Sequence, residues 1–456
     1  MTSGSTRRSF LEAAGAAVGM GALGGERAAG AAPAQTGAAP GARPKVAALT
    51  SVYYYLSHAY HIVGRFLDGF PVYDGRPDPL HRPPFDIASL FIEQVAPATD
   101  LGRARAQKHG VRLSQSIADA LTLGTGGLAV DAVLLIAEHG HYPYNEKLQK
   151  LYPRGRFFRE VLEVFRASGR SVPVFIDKHL SYSRAEADAM IRSAAELKVP
   201  LMAGSSLPVT WRRPALEIPL GRKFHEVLVA SRGDLEIFGF HALETLQCMA
   251  ERRERAGKPQ GVAAVTYLEG DAVWAAGDRG VWSWELLHHA LGRSHTVNPG
   301  DIRQNTRDFH APAAPKGDVA TRFAGPIAFV IEYVDGLRAT AMILNGHVDD
   351  TTVAAKVDTS GGPSIVSTLM YLPAPPGASF FNPLVLRIED FFHTGKPPYP
   401  VRRTQLTGGI LDAALESRIR GGRRIETPEL AAIDYQAPAD SGFIRTPLTD
   451  PEVNRL

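Results

Sequence analysis

Asp131-Ala132-Val133-Leu134-Leu135-Ile136-Ala137 runs directly into Glu138-His139-Gly140-His141-Tyr142-Pro143-Tyr144. After its aspartate the first segment is apolar at every position, so both faces of a strand there must be buried, as in a parallel sheet covered by helices. Outward from it, similar short runs occur at Lys45 to Ser51, Asp86 to Ile92, Val111 to Gln115, Val174 to Asp177 and Leu201 to Gly204. Helical patterns lie between them: Leu56, Tyr60, Val63 and Leu67 form one stripe opposite His58, His61 and Arg65, and others run over Asp100 to His109, Ser116 to Leu121, Phe157 to Ser168 and Ser183 to Leu197. Strand and helix in regular alternation predict a doubly wound α/β domain over residues 45–208.

The second half, residues 209–456, has a different pattern. Ile327 to Val334 and Ala339 to Leu344 alternate, which predicts an open, mostly antiparallel sheet with one solvated face. Helices at Leu235 to Arg255, Trp284 to Leu291, Leu384 to Phe392 and Gly408 to Arg420 are expected on its other face, the last two returning toward the first domain. The class is therefore α/β followed by an α+β domain, which could also carry a homo-oligomer contact through its sheet.

The chain has 456 residues, 45% of them hydrophobic, and a net charge of +3, which excludes a disordered or fibrous protein. With Cys248 the lone cysteine, no intrachain disulfide forms. No basic run suggests nucleic acid as a partner, which leaves a small molecule. Residues 1–44 differ from the rest. Thr6-Arg7-Arg8-Ser9-Phe10-Leu11 precedes a weakly apolar stretch from Ala13 to Gly25, resembling a twin-arginine export signal followed by an Ala/Pro/Gly lead-in. The expected location is periplasmic or otherwise extracytoplasmic, with no membrane span after signal removal.

The order of elements and several phrases resemble the glucose-fructose oxidoreductase, inositol dehydrogenase and MocA (Gfo/Idh/MocA) family. The phrases are Val133 to Ala137, Val174-Phe175-Ile176-Asp177-Lys178-His179 at the family's E-K-P strand end, and Gly239-Phe240-His241-Ala242-Leu243-Glu244 at its G-x-H-x-x-D. Glu332-Tyr333-Val334-Asp335-Gly336, Ile388 to Pro398 and Ala413 to Ser417 follow in order. The resemblance implies a Rossmann-like first domain, NAD or NADP as cofactor, and a sugar or cyclitol substrate. It places Lys178 beside the nicotinamide and substrate hydroxyl, and His241 as the group that takes the hydroxyl proton. Asp177 and His179 stand where the family has Glu and Pro, and Ile237 where the histidine's aspartate partner would be.

The family's glycine-rich turn is absent: Val52-Tyr53-Tyr54-Tyr55-Leu56-Ser57-His58 follows the first strand. Bulky side chains there oppose the close backbone approach that a pyrophosphate needs. Two readings stay open. In one, a nicotinamide cofactor is held in an altered way, with Ser51, Glu93 and Glu138 at the cofactor and Glu93 on its ribose. In the other, the cleft has been converted to a different ligand.

Ligands bind such sheets at the carboxyl edge, where the loops after the fourth and fifth strands meet that after the first. Tyr54, His58, His141, Tyr144 and His179 are the expected substrate contacts there, with Trp211 and Arg212 stacking on a sugar ring and bonding its hydroxyls or a carboxylate, or Trp211 packing at the domain hinge. His139, His141 and His179 could instead hold a divalent metal such as Zn or Mn, or bond a sugar or one another. The Phe70 to Phe85 loop, with His81 and Arg82, is a candidate lid, and the aromatic stretch Gly270 to Arg293 is a cover over the cleft, an oligomer contact or ordinary core. Three functions follow: an exported sugar oxidoreductase with Lys178 and His241 as catalytic residues; a nicotinamide-independent lyase, hydratase, epimerase or hydrolase; or a non-catalytic sugar-binding protein.

Overall fold

The computed structural model describes residues 42–255, 257, 259–309, 325–373 and 377–450, so most of the expected export signal lies outside the described residues. The first domain runs β1 (Lys45–Thr50), α1 (His58–Asp68), a small hairpin of β2 (Phe70–Pro71) and β3 (Leu80–His81), β4 (Asp86–Ile92), α2 (Gly102–His109), β5 (Arg112–Ser114), α3 (Ile117–Thr122), β6 (Ala132–Ile136), α4 (Arg154–Ser168), β7 (Val174–Asp177), α5 (Arg184–Glu196) and β8 (Leu201–Gly204). Its sheet has the order β5-β4-β1-β6-β7-β8, and every neighbouring pair is parallel. The order reverses between β1 and β6, which opens a crevice at their carboxyl ends. All of β6 is buried, as its unbroken apolar run requires.

Helix α1 starts where the Ser57 hydroxyl accepts the Tyr60 N–H, and stops at Gly69, whose φ of 80° ends the helical path. Its buried face is not the expected stripe. Ala59, Ile62, Val63 and Phe66 are buried, and so are His61 and Arg65, because α10 (Phe381–Thr394) packs on that side. Arg65 Nε donates to Asn382 Oδ1 at 2.6 Å, and His61 stacks on Phe381 with ring centroids 4.8 Å apart.

The second domain contains β9 (Trp211–Arg213), β10 (Phe224–Ser231), α6 (Ile237–Ala250), β11 (Val262–Glu269), α7 (Asp271–Asp278), α8 (Trp284–Leu291), α9 (Ile302–Arg307), β12 (Ile327–Tyr333), β13 (Arg338–Ile343), β14 (Thr351–Thr359) and β15 (Gly362–Tyr371), then α10, α11 (Val401–Ile419), β16 (Ile425–Glu426) and α12 (Pro428–Ala431). The eight-stranded sheet has the order β16-β11-β12-β13-β10-β14-β15-β9 and is antiparallel except for β10 with β13.

Three expectations are corrected here. The sheet's second face is covered: Val227 and Val229 pack toward α6 and α11, while Leu228 and Ala230 pack under Trp274, Trp282, Leu286 and Leu287. The Gly270 to Arg293 stretch is therefore sheet cover and does not roof the crevice. Helix α10, expected to return toward the first domain, joins that domain's core through Leu384, Val385, Ile388 and Phe391. The Phe70 to Phe85 loop follows it, with His81 Nε2 2.6 Å from Glu389 Oε2, and none of its residues lines the cleft.

Helix α11 ties the two sheets together by packing on α6 and β11 on one side and on α5 and β8 on the other. At its start Arg403, wholly buried, donates through Nε to Glu251 Oε2 at 2.9 Å, and the Tyr435 hydroxyl donates to the same oxygen at 2.8 Å. Gln247 extends the network to Tyr333. Removing one member of such a buried pair strands the other's charge. Glu251→Gln should destabilise the protein by about 3–5 kcal/mol, read as a lowered midpoint in chemical denaturation, while Arg403→Met combined with Glu251→Leu should lose less than the single change.

Candidate functional site

Three strand ends build one wall of a cleft of about 580 Å³ between the two sheets. Glu138, just past β6, is fully buried between two cations: Lys178 Nζ donates to Oε1 at 2.9 Å, and Arg154 from the start of α4 pairs with Oε2. Burial alone would push this carboxyl's pKa up, but the two ion pairs outweigh it and hold it well below the ordinary range. Its own carbonyl accepts the Ser51 hydroxyl at 2.7 Å, which locks the β6 end to the β1 end.

Asp177 ends β7, and its Oδ2 lies 2.6 Å from Nδ1 of His58 at the start of α1. The next residue, Lys178, turns into the left-handed region with φ 61°, a strained conformation for a side chain with a Cβ, and its N–H meets Gly204 O. That turn separates Asp177, facing His58, from Lys178, facing Glu138. Both residues line the cleft.

The facing wall comes from the second domain and α10: Arg232, Phe238, His241, His295, Asp349, Asp350, Tyr371 and Phe381. His241 projects from α6. Burial holds its pKa well below the usual imidazole value, and nearby Lys178 and His58 act in the same direction, so it is neutral at neutral pH. Its Nδ1 has no hydrogen-bond partner among the described residues, nor does the buried Ser205 hydroxyl in the same cleft. Unsatisfied buried donors and acceptors in a polar-lined cleft suit a hydroxyl-bearing ligand.

Of the expected site residues, the cleft brings together Lys178, His241, His58 and His139, the last with its ring 5.1 Å from that of His58. Asp177 was not anticipated as a functional residue; its position between a β7 run and Lys178 was the available signal. Other expectations are corrected. Trp211 and Arg212 sit on edge strand β9, where Trp211 Nε1 donates to Thr446 O and Arg212 to Leu216 O and Pro208 O, so they bond neighbouring backbone, and neither lines the cleft. Tyr54 bridges to Asp100, and Tyr144 pairs with Lys150, whose ammonium lies over its ring. His179 packs against Phe240 with Nε2 3.7 Å from Glu236, and His141 is exposed. His139, His141 and His179 thus diverge, and among the described residues no three His, Cys, Asp or Glu side chains are placed to hold a metal ion.

The groove for a dinucleotide would run along the carboxyl ends of β4, β1 and β6. Here those loops bond to each other. Gln94 Oε1 accepts the His141 N–H at 2.8 Å and its Nε2 donates to His141 O at 3.1 Å. Glu93, the expected ribose partner, is taken by the Tyr142 hydroxyl and Arg156. A Cβ on Gly140 would stand 3.3 Å from Val52 and 2.9 Å from the Tyr142 ring, so the β6 loop lies directly on the β1 loop. Tyr53 is buried against Gly102 at the start of α2. Ser51 and Glu138 are committed to each other and to Lys178 and Arg154. These residues do not fit a dinucleotide in that groove.

No family model and no curated protein matches this chain. Among solved structures it is similar to GenD2 from gentamicin A biosynthesis in complex with NAD, at 15% identity over 86% of this chain and 99% of that one, TM-score 0.47. It is also similar to myo-inositol dehydrogenase from Lactobacillus casei in complex with NAD(H) and myo-inositol, at 9% identity over 85% and 97%, TM-score 0.47. A third is the super-repressor mutant of Gal80p from Saccharomyces cerevisiae, at 10% identity over 86% and 100%, TM-score 0.49.

Beneath the cleft Glu236 is buried beside His179, and burial pushes its carboxyl up to about 8. A carboxyl protonated in the folded state and ionised in the unfolded chain contributes stability at low pH that is lost as pH rises from about 4.5 through about 8. Glu236→Gln should flatten this alkaline loss: between pH 6 and pH 9 the variant's thermal midpoint should fall less than the wild type's.

Proposed function

We propose that this chain is an enzyme that works by acid–base chemistry on a small polyhydroxylated substrate, a carbohydrate or cyclitol, held in the cleft between its two sheets. The observation that carries this reading is the 2.6 Å contact of His58 with Asp177 on the same wall as Lys178. A carboxylate on Nδ1 fixes the imidazole tautomer and leaves Nε2 as the base, while the Lys178 ammonium supplies a fixed positive charge for a substrate oxygen. A pure sugar-binding protein has no need of a strained lysine or of a carboxylate-backed histidine.

The architecture and the phrases around Lys178 and His241 support a place in the Gfo/Idh/MocA family as a divergent member. Of the family's hydride route and a nicotinamide-independent route, the mutually bonded loops over the dinucleotide groove support the second. Substrate hydroxyls have partners in His241, Ser205 and Ser206. Export by the twin-arginine route, carrying the folded enzyme outside the cytoplasm, and self-association remain parts of the proposal that rest on the sequence alone.

A thermal-shift panel of sugars, cyclitols and sugar acids identifies ligands, and turnover of those ligands tests the roles. His58→Gln and Asp177→Asn should each lower kcat by about 10²–10⁴-fold with little change in KM. Unchanged turnover in both variants would remove the dyad from the mechanism. Lys178→Met should cost about 10²-fold or more in kcat.

A further inference from the structure

We infer that the reaction is proton abstraction from a carbon next to a carbonyl or carboxyl group, so that the substrate is a hydroxylated carbonyl compound such as a ketose or a uronic acid. This rests on the acid–base reading of the cleft and narrows it to one reaction class.

The cleft's charged groups decide between the alternatives. Hydrolysis of a glycosidic bond uses two carboxyl groups, one as acid and one as base or nucleophile. Among the described residues the carboxylates that line this cleft each hold a neighbour through one oxygen: Asp177 holds His58, Asp349 pairs with Arg232 at 3.1 Å, and Asp350 accepts the backbone N–H of His295 at 2.8 Å, while the second oxygens of Asp177 and Asp350 have no hydrogen-bond partner there. The only cysteine, Cys248, is buried in the second domain's core and does not reach the cleft. Hydride transfer needs an acceptor whose groove is filled by Tyr53, Gln94, His141 and Tyr142. Of the imidazoles that line the cleft, His58, His61, His139, His241 and His295, His58 has the Asp177 carboxylate on its ring, and Lys178 on the same wall supplies an ammonium. That pair suits a carbon acid, which needs a base for its proton and a cation for the oxygen that becomes negative.

The step balances without an oxidant. His58 Nε2 takes the proton from the α-carbon, and the C–H electrons form a carbon–carbon double bond. The carbonyl π electrons move to oxygen, giving an enediolate next to Lys178 Nζ. Glu138 uses one of the three Lys178 donors and leaves the others for this oxygen. Protonated His58 then either trades its proton with solvent and returns one to the same face of the carbon, giving exchange, or gives it to a departing β-hydroxyl, giving water and an unsaturated product.

The test uses the purified full chain in ²H₂O with D-fructose, D-tagatose, D-glucuronate and D-galacturonate, followed by proton NMR, with thermal shift on the same compounds. The expected result is loss of the proton α to the carbonyl of at least one compound. Added NAD or NADP should leave that rate unchanged and produce no absorbance at 340 nm. Exchange should fall at least 100-fold in His58→Gln. Asp177→Asn, which keeps the side-chain shape, should displace the pH profile of exchange and so distinguishes a positioned base from a folding defect. A compound that raises the thermal midpoint without exchanging would overturn the carbon-acid inference and leave the cleft reading intact. Absence of binding by all four would overturn the substrate class, and cofactor-dependent absorbance at 340 nm would overturn the non-redox assignment.

Discussion

The Glu138 carboxylate between Lys178 and Arg154 is the interaction on which the rest of the site depends. A charge with no exposed surface is tolerated only because two cations and a fixed geometry compensate its desolvation. Once it is there, it dictates its surroundings. Lys178 must turn back toward it through a left-handed backbone, which sets Asp177 toward His58 on α1. Arg154 anchors the start of α4 to the β6 end, and the long loop between them is drawn over the sheet edge. One buried anion thereby positions the ammonium, the dyad and the loop.

That loop gives the cleft its character. In descending onto Val52, Gln94 and Glu93 it makes protein–protein hydrogen bonds where a doubly wound sheet ordinarily exposes backbone N–H groups to a phosphate. Tyr53 turns inward to fill the same ground from the other side, stacked over Gly102. What stays open is the compartment between the two sheets, walled by α6, α10 and the loops after β10, β13 and β15. Helix α10 takes part in both the first domain's core and this wall, so Phe381 meets His58 and His61 while Leu384 and Ile388 fill the core beneath. Helix α11, pinned by Arg403 to Glu251, holds the two sheets at the separation that the cleft requires.

The first domain was legible in the sequence because its signals are local. Strand β6 is apolar at every position and β7 is apolar up to its closing Asp177, and the first domain's helices carry caps such as Ser57, Ser116 and Ser183 next to the first helical residue. The second domain was harder to read. Its sheet is buried on both faces, so β10 presents Val227-Leu228-Val229-Ala230 with no polar alternation, and α7 and α8 cover a face that the pattern in β12 and β13 left to solvent. The stripe assigned to α1 was rotated for a related reason. His61 and Arg65 are polar in sequence yet lie inside, since Phe381 and Asn382 arrive from more than 300 positions away to receive them.

By itself the sequence determined the parallel sheet, the loss of glycines after β1, and the presence of Lys178 and His58 near its carboxyl edge, with His241 expected only through the family resemblance. These follow from periodicity and from which residue types stand at strand ends. Only the tertiary structure decided that Asp177 backs His58, that Glu138 serves Lys178 and Arg154 instead of a cofactor, and that His139, His141 and His179 diverge. The physical reason is that a side chain's role at a strand end depends on the sign of a single φ angle and on which distant loop reaches it first. Neither is encoded in the neighbouring letters.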